Sequence, residues 1–405
     1  MSVAEFDVTA VRGRFPALRD DTAYFDGPGG SQAPEQVGQA MVQLLAGGVA
    51  NRGRVTRAER HADDAVRDAR VAMADLLGAE PRGVVFGRSM TQLTYDFART
   101  LAKQWRAGDE VVVTSLDHDA NIRPWVQAAD TVDAKVRWAE FDPATGELGT
   151  DAVASLLTER TRVVAVTGAS NLIGTRPDIL ALARAVHEAA ALLYVDGVHL
   201  TPHAVIDMDA MGADFFACSP YKFLGPHLGV LAASPQTLER LHPDKLRPAT
   251  DEVPERFELG TLPYELLAGT TAAVDFLAGL VRGDGNRRAR LTRSVTVLEE
   301  HEQRLAARLA EGLAAIDGVR TYGHAARRTP TELFTVAGVD GARVHHLLAQ
   351  RGVNAPAGSF YALECAERLG LGEAGGVRAG IAPYTNEEDV DRLLAGVRDI
   401  AATGR

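Results

Sequence analysis

The sequence predicts an α/β protein: a large domain on a mixed, mostly parallel sheet, followed by a smaller α+β C-terminal domain. Three observations carry this reading. Between about residues 60 and 235, short runs rich in Val, Ala and Phe alternate with amphipathic stretches, the order of repeated strand-helix units. These runs are apolar almost without interruption, as strands buried on both faces are. After about residue 270 the alternation gives way to long helical patterns with few strands between them. A chain of 405 residues also exceeds one minimal core, which favours one large and one smaller domain.

The clearest strands are GVVFG at 83–87, EVVVTS at 110–115, VVAVTGAS at 163–170, LLYVDG at 192–197 and FFACSP at 215–220. Helical patterns such as TQLTYDFARTLAKQW and DILALARAVHEAAA supply the crossovers, with Gly or Asp at the turns. Farther on come a long helix, LTRSVTVLEEHEQRLAARLAEGLAAI, a strand near ELFTVAG, a helix HHLLAQRG and a terminal helix EEDVDRLLAGVRDIA. We expect an N-terminal arm over 1–20 packing on the small domain, a large domain over 21–270 and a small domain over 271–405. The Pro-rich, charged segment HPDKLRPATDEVPERFELGTLP reads as a functional loop at the domain junction.

Composition excludes several functions. The formal net charge is -11 and no basic run offsets it, which argues against a nucleic-acid partner. No run of about 18 apolar residues exists to span a membrane. MSVAEFDVTAVRGRFPAL opens with Glu5 and Asp7 and is interrupted by further charges, unlike a secretory leader, so cytoplasmic residence is expected. Two cysteines, Cys218 and Cys365, are too few for a disulfide framework or a metal-thiolate site, and no metal is expected.

Each predicted strand ends in a small or polar residue, and open α/β sheets bind ligands beyond the carboxyl ends of their strands. A pyridoxal 5'-phosphate (PLP) site needs an amine, a carboxylate for the ring nitrogen, a flat group over the ring and donors for the phosphate. Lys222, in ACSPYKFLGPHLG, directly follows a strand, with Ser219, Gly225 and Gly229 allowing close backbone approach. By itself Ser-x-x-Lys reads equally well as a solvated loop lysine. Asp196, in LLYVDGVHLTPH, follows an apolar strand, where a carboxylate requires a cationic partner such as a pyridinium nitrogen. The competing reading is a helix cap.

TSLDHDANIRPW, GASNLIGT, YVDGVHLTPH, SPYKFLGP and RFELGT occur in the order and spacing of the class V aminotransferase superfamily. The chain resembles its cysteine desulfurase-like group, which includes selenocysteine lyase. The match runs from YFDGPGGSQAP at 24–34 through RAGIAPYTNEEDVDRLL at 378–394, nearly the whole chain. The resemblance implies PLP fold type I, a homodimer with active sites at the subunit interface, and a small amino-acid substrate. It makes Lys222 the Schiff-base lysine, Asp196 the partner of the ring nitrogen, and His118 the group stacked on the ring that helps proton transfer. Asn171 and His199 would flank the phenolic oxygen, with His199 where relatives often have Gln. Ser89, the backbone N–H of Met90, Thr94, Ser219 and Tyr221 would hold the phosphate, joined by Gly260 and Thr261 from the partner subunit. Arg378 would bind the substrate carboxylate, and Arg52 would approach the site across the dimer. The plainer alternatives are a capping or core histidine at 118, an ordinary turn at 260–261 and a surface arginine at 52.

The pattern breaks in one loop. In GVNAPAGSFYALEC, Tyr361 stands at the persulfide cysteine's place, on the substrate side, and Pro356 stands where relatives carry a further substrate-binding arginine. Cys365 falls in ALECAERL, a helical stretch, and Cys218 falls inside a strand, so both read as buried structural thiols. The expected reaction is a β-elimination of carbon-sulfur lyase type. An aminotransferase, an epimerase or a decarboxylating carbon-carbon bond-forming enzyme are the alternatives. A non-catalytic PLP-fold sensor has less support, because a retired site has no need for Lys222, Asp196, His118 and Arg378 together.

Overall fold

The apolar runs form strands where the periodicity places them. In the computed structural model, which describes residues 6–403, the first strands are β1 (Ala23–Tyr24), β2 (Val84–Gly87), β3 (Glu110–Thr114), β4 (Lys135–Ala139) and β5 (Thr161–Thr167). They are followed by β6 (Leu192–Asp196), β7 (Phe215–Cys218), β8 (Gly229–Ala233), β9 (Val319–Tyr322) and β10 (Thr331–Val336). The last are β11 (Val353–Asn354), β12 (Ala357–Gly358) and β13 (Gly376–Gly380).

A seven-stranded sheet has the order β2-β8-β7-β6-β5-β3-β4. The β7-β6-β5-β3-β4 portion is parallel throughout, and β8 runs antiparallel to both β7 and β2. Alternate residues serve opposite faces. Val112, Val164, Leu193 and Phe216 join one core, whereas Val111, Val163, Tyr194 and Phe215 join another on the other side. Complete burial of such a Val, Leu or Phe stabilises the fold by about 1.5–3 kcal/mol. Two strands escape the sequence pattern. β4 is a sheet edge in which Lys135 and Arg137 interrupt the apolar run, and β8 is built largely from small residues.

Helices cover the sheet and connect it to the second core. Thr56 begins the helix Arg57–Leu77 with a capping box shared with Glu59. That helix buries Ala62, Val66, Ala69 and Met73 at spacings of three and four residues. The 28-residue helix Arg287–Ala314 and the terminal helix Glu387–Thr403 pack against a four-stranded antiparallel sheet, β12-β13-β10-β9. Near the N-terminus, Arg12 pairs with Asp389 at 2.5 Å and donates to Tyr384 O, while the Phe6 ring lies 4.6 Å from that of His301. The first five residues of the expected arm lie outside the described residues. Among the described residues, no helix is long and apolar enough to cross a membrane.

Candidate active site

The parallel strands β5, β6 and β7 all end on one side of the sheet, and a cavity of about 620 Å³ lies beyond their ends. Thr167, Asp196 and Ser219, at or just past those ends, line it. This is the crevice position expected for ligands of an open α/β sheet.

Lys222 closes the short turn Pro220–Lys222 immediately after β7, and its Nζ donates to Pro28 O. Burial draws this amine down to about 7, Arg378 adds to the effect and Asp196 opposes it. Asp196 is the last residue of β6 and only 4% exposed. Its Oδ1 accepts from Val198 N at 2.9 Å, so it caps a turn while it lines the cavity. Burial pushes its carboxyl up to about 6, against the Val198 N–H and Lys222.

His118 likewise has both roles weighed for it. Its Nδ1 accepts from Ala120 N at 3.0 Å, capping a short turn, and the ring also forms part of the cavity wall. Burial, with Lys222 and Arg378 nearby, pulls it down to about 4, so the imidazole is neutral. Behind it, Asp117 is fully buried and accepts from Asn121 Nδ2 at 2.7 Å and from the Thr114 hydroxyl. Desolvation outweighs these donors and pushes its carboxyl up to about 8. Nothing in LDHDAN distinguishes Asp117 from its polar neighbours.

Ser89 caps the helix Met90–Ala102, its Oγ accepting from Gln92 N at 3.1 Å, and Met90 and Thr91 open that helix against the cavity. A helix start offers unpaired N–H groups to an anion. Only glycine fits at 229 beside this turn, since a Cβ there would come within 2.2 Å of the Ser89 carbonyl carbon. Ser219 and Tyr221 line the same cavity, whereas Thr94 does not. One turn along the helix, the Thr94 hydroxyl is fully buried, donates to Met90 O at 3.0 Å and lies 2.9 Å from Tyr194 Oη. The helical phase therefore brings Thr91, not Thr94, to the wall.

Arg378, on β13, is 1% exposed and donates to Asn171 O at 2.9 Å. Its guanidinium carbon lies 3.6 Å from the centre of the Phe360 ring. Burial brings it down to about 9 although Asp26 favours the charge. Phe360 and Tyr361 both have left-handed backbones, with φ of 52° and 59°. Asn171 Nδ2 donates to Phe360 O at 2.9 Å and Asp119 N donates to Tyr361 O at 2.7 Å, which hold the loop over the cavity. Tyr361 is 76% exposed, and its ring stacks 5.5 Å from that of His118. Pro356 contributes its carbonyl, which accepts from Arg378 N at 2.9 Å.

Besides Thr94, three expected residues are not brought to the cavity within this chain. Arg52 is held by Asp63 at 2.9 Å and Glu255 at 3.2 Å, and Gly260 and Thr261 lie on the exposed surface. Both cysteines are fully buried, Cys218 in β7 and Cys365 in the helix Leu363–Arg368, and burial raises both thiols.

The donor set fits a pyridine aldehyde phosphate. Asn171 Oδ1 and His199 Nδ1 are buried polar atoms without partners on residues that line the cavity, and such orphans are rare. Asp196 keeps a buried carboxyl, its proton affinity raised by burial, for a ring nitrogen, Lys222 an amine near neutrality, and the helix at Met90 an anion site. Together with the mostly parallel sheet, these features define a PLP-dependent enzyme of fold type I.

Comparison with known proteins makes the assignment specific: the chain belongs to the class V aminotransferase family, whose model, Aminotransferase class-V, matches residues 23–393. An uncharacterized protein of Mycobacterium tuberculosis, MT3887, is 34% identical over 98% of this chain and 100% of its own length. A probable cysteine desulfurase 2 of Mycobacterium leprae is 32% identical over 98% of this chain and 97% of its own. The crystal structure of the cysteine desulfurase CsdA from Escherichia coli superimposes with a TM-score of 0.87 at 28% identity, covering 98% of this chain and 99% of that one. The chain is thus a cysteine desulfurase-like, PLP-dependent enzyme.

Proposed function

We propose that this enzyme cleaves the Cβ–S bond of cysteine or a cysteine conjugate by β-elimination, without passing sulfur to a thiol of its own. The observation that carries the proposal is the loop over the cavity: it presents Tyr361, and both cysteines are fully buried. A persulfide carrier must be an accessible thiolate. The Cα proton is lost, the sulfur leaves with the bond electrons as a thiolate, and water hydrolyses the released enamine to pyruvate and ammonia.

Bound PLP supplies an electron sink for negative charge at the substrate α carbon. Lys222 anchors it and, with an amine near neutrality, moves the proton at that carbon. Asp196 would hold the ring nitrogen protonated, and His118, neutral and flat, would cover the ring and assist proton transfer. Asn171 and His199 would bind the ring oxygen. Ser89, the Met90 N–H, Ser219 and Tyr221 would bind the phosphate. Arg378 takes the substrate carboxylate, and Phe360 and Tyr361 restrict water above it. Arg52, Gly260 and Thr261 serve the site of a partner copy in a homodimer, a role consistent with the exposed apolar Val55 and Leu259 beside them in sequence. We read the arm, large and small domains as divided near 20 and 270, and the free thiols suit a cytoplasmic setting.

The test is product analysis. Purified holoenzyme given cysteine or S-substituted cysteines should release pyruvate and ammonia in equal amounts, and Lys222→Ala should abolish both. Keto acid without ammonia, accompanied by bleaching of the cofactor band, would instead make the enzyme an aminotransferase.

A further inference from the structure

The two ring nitrogens of His199 meet different surroundings. Nδ1 has no hydrogen-bond partner, whereas Nε2 lies 2.9 Å from Thr331 Oγ1 and 3.0 Å from Thr329 Oγ1. His199 follows β6 of the large sheet, but Thr331 opens β10 and Thr329 just precedes it, about 130 residues later in the chain. One histidine is therefore clamped by hydroxyls from the other sheet.

Counting protons selects the tautomer. The Thr329 hydroxyl has Gly174 O as an acceptor at 3.3 Å. The Thr331 hydroxyl has Nε2 at 2.9 Å to donate to, whereas in its contact with Thr329 Oγ1, at 3.5 Å and the outer limit of a hydrogen bond, Thr329 is the donor. If Thr331 donates to a bare Nε2, both hydroxyl protons are placed well. If Nε2 carries hydrogen, the Thr331 proton loses that acceptor. The ring is neutral: burial lowers its proton affinity, and His203, Arg378 and Lys222 add to this. These neighbours come from three directions, and His203 is itself paired at 2.8 Å with Glu302 on the helix Arg287–Ala314. A neutral imidazole with bare Nε2 carries its hydrogen on Nδ1.

We propose that Thr331, assisted by Thr329, sets His199 as an Nδ1–H donor toward the ring oxygen of the bound cofactor. β10 thereby acts as a positioning element for the electronics of a cofactor held by the large sheet. A glutamine would carry donor and acceptor on separate atoms, whereas a histidine requires a partner that decides which nitrogen bears the hydrogen. The inference rests on the assignment of Lys222 as cofactor anchor and adds a role to residues outside the cavity lining.

The test reads the visible absorbance of holoenzyme without substrate, titrated with pH. Removing a donor from the ring oxygen makes that oxygen hold its proton more tightly. Thr331→Val should raise the apparent pKa of the absorbance change by about one unit, a tenfold change in proton affinity. Thr329→Val combined with Thr331→Val should raise it further, because no hydroxyl then remains at Nε2, and Thr331→Ser should restore the wild-type value. An unchanged titration in the double variant with full cofactor content would overturn the proposal. So would a serine variant that behaves like the valine one, which would mark a packing effect. A cofactor band that survives Lys222→Ala unaltered would overturn the anchor assignment instead, a result distinct from either of these.

Discussion

Burial draws the Lys222 amine down to about 7 even though Asp196 favours its charged form, so desolvation outweighs the attraction. In the unfolded chain the amine returns to 10.5. Between those values the unfolded chain holds more protons than the folded apoprotein, and stability rises with pH across the window. We expect Lys222→Met apoprotein to lack that slope. Its advantage in Tm over wild-type apoprotein should be greatest near pH 7 and shrink by at least about 2 °C toward pH 10, as followed by thermal unfolding. Arg378 poses a different question, because its planar guanidinium is stacked on Phe360 and donates to Asn171 O. Lysine reproduces neither contact nor a bidentate fork. Arg378→Lys should raise KM for the amino acid by about 10–100-fold and change kcat much less, in steady-state kinetics with the pyruvate assay.

Among the elements, the loop between β12 and the helix Leu363–Arg368 carries the proposal that no sulfur passes to a thiol of this enzyme. It was readable in part. Tyr361 and Pro356 are visible in GVNAPAGSFYALEC, and the helical placement of Cys365 agrees with its complete burial. The stacking of Phe360 on Arg378 was not readable, since two residues 18 positions apart on different elements leave no periodic signal. Thr94 and Thr91 show the same limit on a smaller scale: both lie in the helical pattern TQLTYDFARTLAKQW, and only the rotation of the helix decides which one faces the cavity. A thiol-titration experiment follows from the loop. Native enzyme should show no cysteine reacting rapidly with a disulfide reagent, and both should react after unfolding. Tyr361→Cys should add one rapidly reacting thiol in the native state, because position 361 is 76% exposed.

For the whole molecule, the residues that the cavity lacks point outward. Arg52, Gly260 and Thr261 do not line their own chain's cavity, and exposed Val55 and Leu259 adjoin them in sequence. A twofold dimer would carry these residues to the neighbouring site. Sedimentation should give the mass of two chains. Lys222→Ala and Thr261→Asp proteins, each inactive alone, should regain about a quarter of wild-type activity after subunits are mixed and exchanged, since half the dimers then hold one intact site. No recovery after verified exchange would place Thr261 outside the site.

The alternation of apolar runs determined the large sheet domain, because strands buried on both faces are apolar almost throughout. The residues at the ends of those runs, Asp196 and Lys222, were legible for the same reason: a charged group directly after a buried strand needs a purpose or a partner. The edge strand β4 and the small-residue strand β8 lacked such a signature. Tertiary structure alone set the proton affinities of Lys222, Asp196, Asp117 and His118, which depend on burial summed over many elements. It also joined His199 to Thr329 and Thr331 across about 130 residues of chain, a contact between two sheets that no local pattern encodes.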